Sequence, residues 1–354
     1  MSDTALQEPI LELAPAPTLR VAWLGPGLDD VQDLVEAEVF RASSIAEVAA
    51  RDPDVLHVAQ PGVNLRALRR AVPRAALVLD IAAHERPVLE RRGIGRARAD
   101  RILVGSRVAL REIARRRPEL AEHACVVMKP LDLERHAPAR QLAKLPGMDS
   151  KIKRFRRVHR LKDPVVLFVG PYTADGRLDL TVDWIHGLRE RFPELRLAAI
   201  PSGSTDSRFL DRCERAALGL GHHGVIEWSV APEEISIWYA LATVVVSPHA
   251  HGSAVGPAAL AAAAGRPFVG TLGGSAEEIV VDGETGFLLP PDDLTTLRSA
   301  LEAVVGDEEE AARLGEAARE RAERELGDDA AARFVQRAWV DATRRAHGRF
   351  EIDG

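Results

Sequence analysis

Short runs rich in branched aliphatic residues recur along this chain, and each is followed by a longer stretch whose apolar residues fall at helical spacing. The first series is LRVAWLG (19–25), EVFRA (38–42), DVLHV (54–58), AALVLD (75–80), RILVGS (101–106) and ACVVMKP (124–130), with helical patterns between them at 63–71 and 107–117. A strand that reaches its neighbour only through a helix has to pair with it in parallel, so this rhythm predicts a parallel sheet covered on both faces. The rhythm breaks at KIKRFRRVHRLK (151–162) and resumes as VVLFVG (165–170), LRLAAIPSG (195–203), GVIEWS (224–229), TVVVSP (243–248) and RPFVGT (266–271). The predicted fold is α/β, with two Rossmann-like, doubly wound parallel-sheet domains.

The expected boundaries are a loose tail (1–18), a first domain (19–150), a basic linker (151–163) that ends at the turn-forming Asp163-Pro164 pair, a second domain (164–328) and a closing helix (329–354). From Asp293 onward the pattern is helical. Leu294, Leu297, Leu301 and Val304 form one expected apolar stripe, and Phe334, Val335, Trp339 and Val340 a second. A length of 354 residues with 46% apolar composition is enough to bury two ordinary cores.

A net charge of −6 argues against a dedicated nucleic-acid binder, which needs a surface that neutralises phosphates. Cys125 and Cys213 are too few and too far apart for a disulfide framework or a metal knuckle, which fits a reducing, cytoplasmic setting. The opening MSDTALQEPILELAPAPT is acidic and broken by prolines, unlike a secretion signal. The runs LVLDIAA, VVLFVG and ATVVVSP fall well short of the roughly 20 residues that cross a bilayer, so any membrane contact is expected to be peripheral. The basic run 151–162 and the Arg-rich stretch 91–117 read either as solvated surface or as attachment to anionic lipid.

Neither half carries an intact G-x-G-x-x-G or a Walker-type G-x-x-x-x-G-K. In GPGLDD, Gly25 and Gly27 follow a strand, where they either let backbone amides approach an acceptor-side ligand or serve only a tight turn. Ligands of open parallel sheets bind outside the carboxyl ends of strands, which singles out Gly170, Pro171, Gly203, Ser229, the loop 247–253 and residues 272–278. Gly273, Gly274, Ser275 and Glu278 at an expected helix start are the candidates for holding a diphosphate on backbone amides. Glycines of a plain turn and a glutamate that complements the helix dipole are the alternative.

The stretch GRPFVGTLGGSAEEIVVDGETGFLLPPDD (265–293) resembles the carboxyl-terminal domain of family 4 glycosyltransferases of the GT-B fold. It has their G-x-P strand, Gly-Gly loop, Glu-Ile-Val helix start and D-G-x-T-G-x-L-x-P-P turn in order. The resemblance extends back through EWSVAPEEISIWYALATVVVSP and FVGPYTADGRLDL, and covers about 164–345. DPDVLHV, DRILVGS and VVMKPLDLERHAP in the amino half agree more loosely. The resemblance implies two domains facing across a cleft, a last helix that crosses back to the first domain, and hexose transfer from a nucleoside diphosphate sugar to an unknown acceptor. Retention of anomeric configuration, no cofactor and no essential metal are implied with it.

The chain departs from that family where the family's chemistry concentrates. The usual glutamate pair is replaced by Gly252 and Leu260, and the Arg/Lys pair that neutralises the leaving diphosphate by Pro171 and Gly176. Restoring Arg at 171 and Lys at 176 is therefore expected to add rate. Substitutes from the sequence are Arg177 for the lost lysine, His249 and His251 near the lost glutamate, and His84, after an amino-half strand, where the family often has a histidine; Ser253, in the same loop as the two histidines, is a ligand candidate by its place after a strand. The catalytic candidates are Arg177, His84 and His251. A catalytically degenerate member that binds or assembles is the alternative, because both charged pairs are missing.

Overall fold

The computed structural model describes residues 18–25, 33–59, 62–81, 99–128 and 130–352. The chain divides into two compact units, one drawn from the described residues of Met1–Gly105, Ile113–Val127 and Ala332–Gly354, the other from Ser106–Glu112 and Met128–Ala331. Each unit holds one six-stranded sheet in which every pairing is parallel.

In the first unit the strands are β1 (Leu19–Leu24), β2 (Ala37–Arg41), β3 (Val55–Val58), β4 (Ala76–Asp80), β5 (Arg101–Val104) and β6 (Ala124–Val126), ordered β2-β1-β3-β4-β5-β6. Val21, Val55, Leu56, Leu77, Val78 and Leu103 are wholly buried, as strands covered on both faces require. Trp23, His57, Val78 and Arg101 stand in register across four strands and so share one face. His57 stacks on Trp23 with ring centroids 3.8 Å apart and planes within 10°. The last helix, Asp328–Ile352, joins this face: Trp339 Nε1–H donates to His57 Nδ1 at 3.0 Å, and Asp341 pairs with Arg101. The stripe expected on that helix holds at Val335 and Trp339 but not at Phe334, which is 42% exposed.

The second sheet is built from β7 (Val165–Tyr172), β8 (Arg196–Thr205), β9 (Gly224–Ile226), β10 (Val244–Ser247), β11 (Phe268–Thr271) and β12 (Gly286–Leu289), ordered β12-β11-β10-β7-β8-β9. The two-residue strand period sorts β7 between two cores. Val165, Leu167 and Val169 pack with Trp238 and the helix Val255–Ala263, while Val166 and Phe168 pack with Phe209, Leu297 and Leu301. The strand β12 lies inside the segment read from sequence as a turn, because four residues of GFLL are too short to show a period.

The basic segment 151–162 is not a linker. Met148–Val158 is a helix of the second unit, with Ile152 and Phe155 buried and the Phe155 ring edge-on to Trp238 at 4.8 Å. Two apolar residues three apart suffice to seat one helical face, and seven cations in the sequence around them hid that signal.

Candidate functional site in the second unit

The chain leaves β7 for β8 and β9 on one side, then returns to place β10 on the other side of β7. This reversal is the point where a parallel sheet opens a crevice at its carboxyl edge. Three loops meet there, following β7, β10 and β11. The Ala250 N–H donates to the Asp175 carbonyl at 2.8 Å, which ties the β10 loop to the β7 loop. Ser253 is wholly buried: its Oγ donates to the Ser247 carbonyl at 2.5 Å and accepts from the Thr271 N–H at 2.8 Å. Ser275 Oγ accepts from the Val255 N–H at 3.0 Å. Both serines, taken from sequence as ligand groups, are occupied in holding the loops together.

The positions that depart from the family pattern are filled by backbone. Gly252 has φ +92°, and a Cβ there would lie 2.1 Å from the Gly274 nitrogen; a Cβ on Gly274 would lie 2.2 Å from the Ser253 carbonyl oxygen. The two glycines let two main chains touch, and a glutamate at 252 has no room. At Gly176 a Cβ would lie 1.9 Å from the Pro171 carbonyl oxygen, so a lysine there collides with its own loop. Restoring the lysine of the basic pair by substitution alone therefore meets a steric block at 176. The loop is further fixed because β7 and β8 stay paired out to Tyr172 and Thr205, past a register shift after Gly170. Tyr172 O–H donates to the Glu227 carbonyl at 2.9 Å. Leu260, in place of the second glutamate, packs against the core.

Arg177 adopts a left-handed backbone (φ 60°) just before the helix Leu178–Leu188. Its Nη1 donates to the Pro291 carbonyl at 2.5 Å and sits 3.4 Å from the Pro248 carbonyl. The guanidinium thus clamps the loops after β12 and β10. His249 is half-buried, and its Nδ1 accepts from the His251 N–H at 3.1 Å. Burial holds the His249 pKa below the usual histidine value, with Asp175 opposing and His251 and Arg177 adding to the effect. A neutral His249 ring therefore carries its proton on Nε2. His251 is exposed, with Nε2 3.6 Å from Asp175 Oδ1. Asp175 was not anticipated from sequence, since only the loop contact brings it to the histidines.

The Gly-Gly segment is also more engaged than expected. Ser275–Glu278 is a single 3-10 turn, and the Gly273 N–H donates to Glu277 Oε1 at 2.7 Å. Glu278 is 6% exposed and accepts from the Arg107 N–H, with Arg107 Nε 3.4 Å from its other oxygen. Arg107 opens the helix Arg107–Arg116, so the carboxylate complements that helix start instead of its own. Burial pushes the Glu278 carboxyl above its usual value, against the pull of Arg107.

Gly170 is buried at the end of the regular β7 pairing, beside the half-exposed Pro171. Gly203 is exposed in the carboxyl-terminal part of β8, and Ser229 is exposed beyond β9 at the same sheet edge. Trp228, missed in the sequence, is 57% exposed beside Ser229, and its indole N–H donates to Glu214 Oε1 at 2.6 Å. His222 and His223 precede β9 and so lie at the opposite, amino edge from His249 and His251. Among the described residues no group of three or more His, Cys, Asp or Glu side chains is placed to hold a metal. Gly25 directly follows β1 in the first unit; Gly27, His84 and most of the expected tail lie outside the described residues. Among the described residues no helix is long and apolar enough to cross a membrane.

Residues 149–321 match the family model described as glycosyl transferases group 1. A GDP-mannose-dependent alpha-(1-6)-phosphatidylinositol monomannoside mannosyltransferase of Mycolicibacterium smegmatis is 29% identical over 49% of this chain and 47% of its own length. A D-inositol 3-phosphate glycosyltransferase of Streptomyces avermitilis is 27% identical over 85% of this chain and 64% of its own length. The chain thus spans between about half and two thirds of these two relatives. Among solved structures, Anabaena HepE in complex with UDP and glucose shares the fold at a TM-score of 0.61, with 15% identity over 90% of this chain and 98% of that one. The motifs of 265–293 and the parallel sheet that carries them lie within the stretch, 149–321, over which this chain matches the glycosyl transferases group 1 family.

Proposed function

We propose that the second unit binds a nucleoside diphosphate sugar at the β7/β10 crevice and that the protein transfers its hexose to an acceptor with retention of configuration. The observation that carries this reading is the meeting of three strand-end loops at the point where the strand order reverses, joined by Ala250 to Asp175 and by Gly252 to Gly274. In this reading the neutral His249 offers Nε2–H to the donor, and His251, paired with Asp175, replaces the lost acidic group beside the sugar. The leaving diphosphate meets backbone amides and no dedicated Arg/Lys pair, so turnover is slow. A relative named for GDP-mannose and structures that hold UDP support the donor class.

A second reading, a degenerate member that binds without transferring, is favoured by one specific finding. Backbone occupies the space at both 176 and 252, so the charged groups are excluded as well as absent. One experiment separates the two. The full chain is titrated with UDP-glucose, GDP-mannose and ADP-glucose while thermal stability is followed; a donor at 100 times its dissociation constant adds about 2.7 kcal/mol. Stabilisation with nucleotide release, with or without D-inositol 3-phosphate as trial acceptor, supports transfer. Stabilisation without release gives the second reading, and no response to any donor overturns the donor site.

A further inference from the structure

The helix Met148–Val158 has an outward face that the glycosyltransferase reading does not use. Its inner face is fixed by Ile152 and Phe155, with Met148 packed against the same core, so Lys153, Arg154, Arg156, Arg157 and Val158 are left exposed. Residues 148–162 carry seven Lys and Arg against one acidic residue, Asp149, on a chain whose net charge is −6. Two of these cations have partners: Lys153 pairs with Asp149, and Arg156 with Asp163. Among the described residues no hydrogen bond or ion pair engages the side chains of Lys151, Arg154, Arg157, Arg160 or Lys162. In the midst of them Val158 is 62% exposed, an apolar group turned largely to solvent. A solvated, structureless linker has no reason to fix such a group outward; a seated helix has no choice.

We infer that this face docks peripherally on an anionic lipid bilayer. The charge complement is one-sided, and an acidic remainder of the chain turns the basic face toward a negative surface and the other faces away. Each Lys or Arg near such a surface strengthens binding roughly fivefold, and the attraction fades beyond a Debye length. Val158 then enters the boundary between headgroups and chains while the long basic side chains reach the phosphates around it. A nucleic acid offers phosphates as well but gives Val158 no apolar phase. The inference does not depend on the donor site and survives if that site binds nothing.

The test is co-sedimentation of the full chain with phosphatidylcholine vesicles, with and without 30% phosphatidylglycerol, in low and high salt. Binding is expected only with phosphatidylglycerol, and is expected to fall as salt rises. R154Q/R157Q should weaken it about 25-fold, at about fivefold per cation. V158D should weaken it and V158L restore it, with unchanged circular dichroism and melting in all three because these side chains are exposed. Absent binding to phosphatidylglycerol vesicles overturns the inference, as does binding that R154Q/R157Q leaves unchanged. A 20-base-pair duplex bound as tightly at the same salt, and insensitive to V158D, also overturns it in favour of a nucleic-acid surface.

Discussion

Replacing Arg177 by alanine separates a structural clamp from a catalytic cation. The guanidinium donates to the partly buried carbonyls of Pro291 and Pro248. Removing the donor strands two acceptors at about 1 to 3 kcal/mol each when they stay dry; with partial access of water the sum is about 2 to 4 kcal/mol. The left-handed backbone at φ 60° does not alter this comparison, since arginine and alanine both carry a Cβ. Glycine does alter it: Arg177→Gly loses the same hydrogen bonds but relieves roughly 1 kcal/mol or more of backbone strain, and should lie between wild type and alanine. At roughly 2 to 4 °C per kcal/mol for a unit of this size, Arg177→Ala should lower the melting midpoint by about 4 to 16 °C. Differential scanning calorimetry on the two variants reads this directly, alongside any donor turnover. A midpoint within a degree of wild type, together with lost turnover, would refute the clamp and return Arg177 to a catalytic role.

Gly176→Lys and Gly252→Glu, which restore family residues, should each destabilise by about 3 kcal/mol or more in urea unfolding and fail to raise turnover, because the new Cβ meets a main chain within 2.1 Å; a stable, faster variant would show that the loops yield. Trp339→Phe leaves Nδ1 of the fully buried His57 without its donor and should cost the first unit about 1 to 3 kcal/mol, measured by unfolding followed at a first-unit amide; an unchanged midpoint would mean that water or another group takes over. His249 has a folded pKa below its unfolded value, so the unfolded chain binds more protons as pH falls through about 6.5, and the stability present above that pH is progressively lost below it. His249→Gln should therefore flatten the fall in melting midpoint between pH 7.5 and 5.5, in part only, because His136 and His223 are lowered in the same sense; an identical slope would remove His249 from the account.

The α/β class and eleven of the twelve strands are legible in the sequence because the signals are local: a branched run, a turn residue, then helical spacing, all within about thirty residues. The family motifs of 265–293 are legible for the same reason, being contiguous. What the sequence alone does not determine is which strand ends adjoin. The order β10-β7 brings Ala250 to Asp175 and Arg177 to Pro248 and Pro291, and neighbouring loops set Gly252 on Gly274. From those contacts follow the clamp by Arg177 and the exclusion of lysine and glutamate from 176 and 252. Contacts such as Arg107 to Glu278, 171 residues apart, and Trp339 to His57, 282 apart, leave no trace in local periodicity. Even the basic helix is misread locally, because two apolar residues reveal a buried face only when Trp238 stands against them. Periodicity records which way a side chain points from its own strand or helix; which side chain it meets there depends on the crossovers, and those are fixed only when the whole sheet is assembled.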